Sequence, residues 1–161
     1  MVRAGKLLVH ANYRDPRDIC LSLVDAGASA REKGRPAFAE IETLDDAVAR
    51  TKQQIKRFRG WASVTGALVL NYEDVAFDQQ PAREAIAEHL GVRPEHQATA
   101  AHLAGSFTQF NKGVSNRYLD ELTVRQNQEM LEHFGPFIDR VTTDKRDRWI
   151  ESYRRRFTSV E

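Results

Sequence analysis

Apolar positions along the chain fall into two periods. Leu7 to Tyr13 is an apolar run broken only by His10 and Asn12, and it reads as a strand. From Pro16 into Ala30 the spacing turns helical: Ile19, Leu23 and Ala26 form one stripe, with Cys20 and Val24 beside it. Glu32 to Pro36 is a charged, Gly- and Pro-containing break. Thr43 followed by Asp46 resembles a capping box, and Leu44, Ala47, Val48, Thr51, Ile55 and Phe58 continue at helical spacing. Trp61, Ala62 and Val64 extend that pattern towards Gly66, with Lys52, Lys56 and Arg57 on its solvated side. Ala67 to Leu70 is a second continuous apolar run, expected of a strand. A helix from Pro81 to Leu90 ends at Gly91, and Glu95 to Ala104 also reads as helical. Thr123 and Gln126 form another capping box, and the helix they start is expected to stop at Gly135-Pro136. A last amphipathic segment, Asp144 to Phe157, carries Trp149, Ile150, Tyr153 and Phe157 on one side.

Two apolar strands alternating with helices predict an α/β fold with parallel pairing. Near-continuous apolar strands imply that both faces are covered, as in the middle of a larger sheet. Two strands make a short sheet with unpaired outer edges. The chain is therefore expected to self-associate, to bind a partner that completes the sheet, or to be marginally stable.

The length of 161 residues predicts a single domain over 1–161. The 24 basic and 23 acidic residues nearly cancel, which gives no case for nucleic acid or an anionic membrane as partner. There is no long apolar run, so no membrane span is expected, and the N-terminal apolar stretch is too short for a signal peptide. The single Cys20 cannot form an internal disulfide and reads as a small buried side chain, which points to a reducing cytoplasm. His89, His96, His102 and His133 lie on helical patterns with no metal-ligand spacing, so no metal is expected.

The candidate chemistry lies in RDPRDICLS, Arg14 to Ser22. Asp15 suits an N-cap, Pro16 the first helical position, and Asp18 the first turn, where the dipole favours negative charge. A strand turning sharply into a helix places Arg14 at the strand's carboxyl end, where open α/β sheets bind ligands and where helix N–H groups suit an anion. The same residues also make a good helix start in any protein. This stretch resembles the 3′-phosphate-binding motif of sulfotransferases that use 3′-phosphoadenosine 5′-phosphosulfate (PAPS). In that family an Arg ends a strand, a Ser follows eight residues later, and both contact the 3′-phosphate. Arg14 and Ser22 match by position and spacing. A guanidinium suits the task because it is permanently charged and donates parallel bonds to phosphate oxygens.

Two later blocks follow in the family's order. GALVLNYEDVAFD resembles its apolar strand followed by YED, and Tyr72 matches the tyrosine that lies near the adenine. FNKGVSNRYLDELT resembles the loop that closes over the 3′-phosphate, where Lys112 and Gly113 match its Lys-Gly pair. Asn111 stands where that loop has Arg, and Arg117 is a candidate to restore the charge. The family's strand, 5′-phosphosulfate loop and helix have no counterpart, since Met1 lies only thirteen residues before Arg14. No catalytic base is identified: His10 precedes the motif but falls inside the apolar run.

The resemblance implies a partial P-loop-type three-layer sandwich with few parallel strands and many helices. It implies sulfuryl transfer from PAPS to a hydroxyl or amine acceptor, without metal. The 3′-phosphate part, Arg14, Ser22, Tyr72, Lys112 and Gly113, is retained. The missing loop leaves three origins open: a truncated gene product, half of a split enzyme, or a degenerate binding subunit. The other class is a non-catalytic nucleotide-binding or protein-interaction module.

Overall fold

The computed structural model describes residues 7–77, 79–93 and 114–158, the last helix beyond residue 141 by its backbone alone. In chain order these form β1 (His10–Tyr13), α1 (Pro16–Glu32), α2 (Leu44–Ala62), β2 (Leu68–Asn71), α3 (Tyr72–Ala76), α4 (Gln79–Leu90), α5 (Tyr118–Glu121) and α6 (Val124–Thr158). The fold is mixed helix and strand, built on one parallel pair. β1 and β2 pair in register from His10–Leu68 to Tyr13–Asn71. Parallel strands need a long crossover, and here α1 and α2 together supply it.

Local chemistry sets the helix starts. The Asp15 side chain caps α1 by accepting from the Arg17 amide, and Pro16 opens its first turn. Thr43 and Asp46 form a complete capping box on α2. Thr123 and Gln126 exchange the same pair of bonds at the start of α6. α2 ends earlier than the pattern suggests, at Ala62, with Ser63 as its C-cap.

The core gathers the inner stripes of α1, α2 and the first half of α6 on Tyr13 of β1. Cys20, Leu23, Ala47, Val48, Ile55, Met130, Phe134 and Phe137 are its buried members. Cys20 is fully buried and donates to the Thr51 hydroxyl at 3.3 Å. Burial pushes its thiol up to about 11, against a smaller opposing effect of that bond, so it stays protonated and non-nucleophilic at neutral pH.

Three expectations are corrected. β1 is shorter than Leu7 to Tyr13 and is not covered on both faces: Leu7, Leu8, His10 and Asn12 are exposed, while Val9, Ala11 and Tyr13 are buried. The strand follows the two-residue alternation of one packed face, and α2 lies against it. The second apolar run is likewise only partly buried, with Leu68 and Val69 half-exposed before buried Leu70. Third, Gly135-Pro136 does not stop α6, which continues through Pro136 to Thr158. An internal proline costs about 3 kcal/mol through a lost hydrogen bond and a ring clash. Met130 and Phe134 before it and Phe137 and Ile138 after it are all buried. Each such side chain contributes about 1.5–3 kcal/mol, so packing on both sides outweighs the break. The expected helix from Glu95 to Ala104 lies outside the described residues. Among those described, no helix is long and apolar enough to cross a membrane.

The loop between α1 and α2 folds back on α1. Arg31 Nη1 donates to the carbonyls of Ala39 and Ile41 at 3.0 and 2.7 Å. This return passes so close that a Cβ on Gly27 would sit 2.0 Å from the Ile41 carbonyl oxygen. Gly60, also helical, has nothing within 4 Å of an added Cβ. Gly27→Ala is therefore expected to destabilise the fold by about 2–3 kcal/mol through overpacking. Gly60→Ala should stabilise it by about 0.5–1 kcal/mol through helix propensity. Urea unfolding midpoints check both signs, and a neutral Gly27→Ala would show that the loop yields freely.

Candidate functional site

The carboxyl end of β1, the start of α1 and residues 114–121 meet at one carboxylate. Asp18, in the first turn of α1, has no exposed surface. Its Oδ2 accepts from Arg14 Nη2 at 3.1 Å and from the Asn116 amide at 2.8 Å. Its Oδ1 accepts from the Tyr118 amide at 3.2 Å. Asn116 adopts a positive φ of 59° and Arg117 is right-handed helical, a pairing that turns successive amides into one anion-binding concavity. The anion in that concavity is the protein's own Asp18.

Arg14 stands beside this carboxylate. Its Nη2 also donates to the Val114 carbonyl at 2.8 Å, and its guanidinium lies 4.3 Å above the Tyr72 ring. Tyr72 is placed there by β2, which ends at Asn71 and turns at once into α3. The Asn71 side chain caps that turn by accepting from the Glu73 amide at 3.0 Å. Phe77 packs edge-on against Tyr72 at 6.2 Å and fixes the ring. Arg14 is thus held on three sides, yet its Nε is buried with no hydrogen-bond partner among the described residues. A buried donor left unmet costs about 1–3 kcal/mol, so such atoms mark places where something is bound or stored.

The neighbouring arginines are already committed. Arg17 donates through Nε and Nη2 to Asp15 at 3.0 and 2.6 Å and through Nη1 to Asn127 at 3.1 Å. It also stacks on Tyr118 at 3.5 Å. Burial works against its charge, but the Asp15 bond and charge outweigh this and hold Arg17 above its ordinary value. Arg117 grips Glu121 at 2.7 and 2.8 Å and Asp25 at 2.7 Å. The Glu121 bonds, against desolvation and with help from Asp25, raise its basicity further. Arg117 therefore ties α5 to α1 and does not stand in for the missing charge of the Lys-Gly loop. That idea is overturned by its two carboxylate partners.

The expected site residues divide accordingly. Arg14 and Tyr72, 58 positions apart in sequence, are brought into contact. Lys112 and Gly113 lie outside the described residues, but the chain that follows them begins at Val114, a direct partner of Arg14. Ser22 is half-buried on α1. It sits one turn beyond Asp18 and one before Asp25, on the stripe facing residues 114–121. Asp18 thus stands between Arg14 and Ser22 along that stripe. Its central part was not read from the sequence beyond its favourable place in the first turn. The available signal was an acid one helical turn after Arg14. Among the described residues no group of three or more His, Cys, Asp or Glu side chains could hold a metal ion.

Removing the Asp18 carboxylate leaves a largely buried guanidinium and two amides without their acceptor. Breaking a buried pair from one side typically costs about 3–5 kcal/mol. Asp18→Ala is expected to lose about that much in urea unfolding, and Ser22→Ala less than about 0.5 kcal/mol. An Asp18→Ala cost below about 1 kcal/mol would show that residues 114–118 are held by other contacts. Comparison of the whole chain with protein-family models, with curated proteins and with solved structures finds no match.

Proposed function

We propose that this chain binds the 3′-phosphate end of an adenosine nucleotide of the PAPS type at Arg14. The fold we infer is a partial P-loop-type three-layer sandwich, with sulfuryl transfer to a hydroxyl or amine acceptor as the reaction class. The observation that carries the reading is the unmet, buried Nε of Arg14 in a guanidinium already held by Tyr72, Val114 and Asp18. A pre-positioned guanidinium loses little freedom on binding, and a phosphate oxygen would complete its donors with a charge-assisted bond. The half-buried Tyr72 ring, which carries the Arg14 guanidinium on one face, would be the aromatic neighbour of the adenine, as the resemblance implies. Ser22 would approach from the next turn of α1, and the resemblance adds Lys112 and Gly113, which lie outside the described residues. Asp18 opposes the site's charge, so phosphate is expected to enter on the Nε edge, away from that carboxylate.

The same geometry favours a second reading in one respect. Arg14 Nη2 already spans Asp18 and Val114, as in a residue whose task is to dock a segment. In that reading the chain is an interaction module, and the outer edges of β1 and β2 pair with a second copy or a partner strand. The lone buried Cys20 suits a cytoplasmic setting for either.

Calorimetry with 3′-phosphoadenosine 5′-phosphate and with 5′-AMP separates the two. The nucleotide reading expects the 3′-phosphorylated ligand to bind about tenfold tighter, and Arg14→Lys, which keeps the charge but loses the planar fork, to erase most of that preference. Equal affinity for both nucleotides would overturn it. Sedimentation of the same samples is expected to show self-association, and a strict monomer would remove the open-edge argument.

A further inference from the structure

Tyr13, the residue before Arg14, lines a cavity of about 380 Å³ whose lining includes neither Arg14 nor Asp18. β1 contributes Tyr13, β2 contributes Val69, and α2 and α6 form its sides. Three aromatic rings build its wall in an edge-to-face chain: Tyr13 to Phe58 at 5.9 Å, then Phe58 to Phe137 at 5.9 Å. The volume falls at the small end of ligand sites, which run about 300–1,000 Å³, and the mostly apolar lining with a few polar groups is their usual character.

Its charged lining is of one sign. Arg59 near the end of α2 and Arg140 on α6 are both exposed and both face the cavity. Among the described residues neither guanidinium has a carboxylate partner, and Arg59 rests only on the Phe137 ring, at 5.8 Å. This differs from Arg17 and Arg117, whose carboxylate partners lie within hydrogen-bond distance. Two hydroxyls complete the polar lining, those of Tyr13 and Ser63, and the Ser63 hydroxyl donates to the Gly60 carbonyl at 2.9 Å and so can only accept from a ligand. Two such cations at the mouth of an aromatic pocket select a molecule with a flat apolar body and one anionic end.

We infer that this cavity binds a small apolar carboxylic acid, a one- or two-ring aromatic acid in size. Its ring lies among Tyr13, Phe58 and Phe137 and its carboxylate between Arg59 and Arg140. The site stands apart from Arg14 and does not rest on the nucleotide reading.

The test uses 2-naphthoate as probe and 2-naphthamide as its uncharged isostere, followed by calorimetry and by NMR shift mapping. Saturable 2-naphthoate binding is expected, about tenfold tighter than the amide, with shifts centred on Phe58, Val69 and Phe137. Arg59→Ala with Arg140→Ala should weaken the acid about tenfold or more and leave the amide unchanged. Both arginines are exposed, so the double variant is expected to fold, and a matching unfolding midpoint verifies this. Ala62→Trp, which narrows the same space, should weaken acid and amide alike. Binding should persist in Arg14→Lys and in saturating 3′-phosphoadenosine 5′-phosphate. No saturation by about 1 mM probe, an unchanged affinity in the arginine double variant, or displacement by the nucleotide would each overturn the proposal.

Discussion

A carboxylate taken fully out of water is expensive unless its lone pairs are met, and Asp18 meets them with one guanidinium and two backbone amides. The three donors come from parts of the chain that lie far apart in sequence. Arg14 directly follows β1, while Asn116 and Tyr118 belong to a segment about a hundred positions later. Because the acid is buried, the arrangement is close to all-or-none: moving any one donor leaves the charge short of a partner. This constraint fixes where residues 114–118 dock on α1, and that docking carries the Val114 carbonyl to Arg14 and the Tyr118 ring under Arg17. Arg117 then extends the attachment one turn along α1 through Asp25.

The crossover supports this junction from behind. α1 and α2 can lie close because Gly27 lets the returning loop touch the helix backbone, and Arg31 holds that loop by two carbonyls. The first half of α6 closes the core with Met130, Phe134, Phe137 and Ile138. The Asp18 junction and the lining of the aromatic cavity have no residue in common. Tyr13 belongs to the cavity and the core, and Arg14, the next residue, belongs to the junction. Each site owes its form to an arginine whose capacity is unmet among the described residues: a buried Nε at Arg14, charges without a carboxylate at Arg59 and Arg140.

What was legible in the sequence was local. The Asp15-Pro16 start, the Thr43–Asp46 box, the Thr123–Gln126 box and the stop at Gly91 depend on residues a few positions apart, and the structure keeps all of them. The parallel pair was also legible, since apolar runs separated by helices admit few other pairings. The strand lengths were not, because an apolar residue such as Leu8 reads as buried whether or not anything lies on it. The passage of α6 through Pro136 was hidden for the opposite reason: proline is a strong local signal, and the packing that overrides it comes from α1 and α2. At the site, the Arg14–Tyr72 contact was foreseen only as two blocks in order. The role of Asp18, the carboxylate partners of Arg117 and the aromatic cavity depend on chain segments far apart in sequence, so no spacing encodes them.

The central claim is that one buried carboxylate joins the start of α1 to residues 114–118. Native-state hydrogen exchange at the Asn116 and Tyr118 amides tests it most directly. If Asp18 holds both, they should exchange only when α1 itself opens, with the same opening free energy as the amides in the first turns of that helix. Exchange of these two amides at the rate of an open loop, while α1 stays protected, would contradict the account.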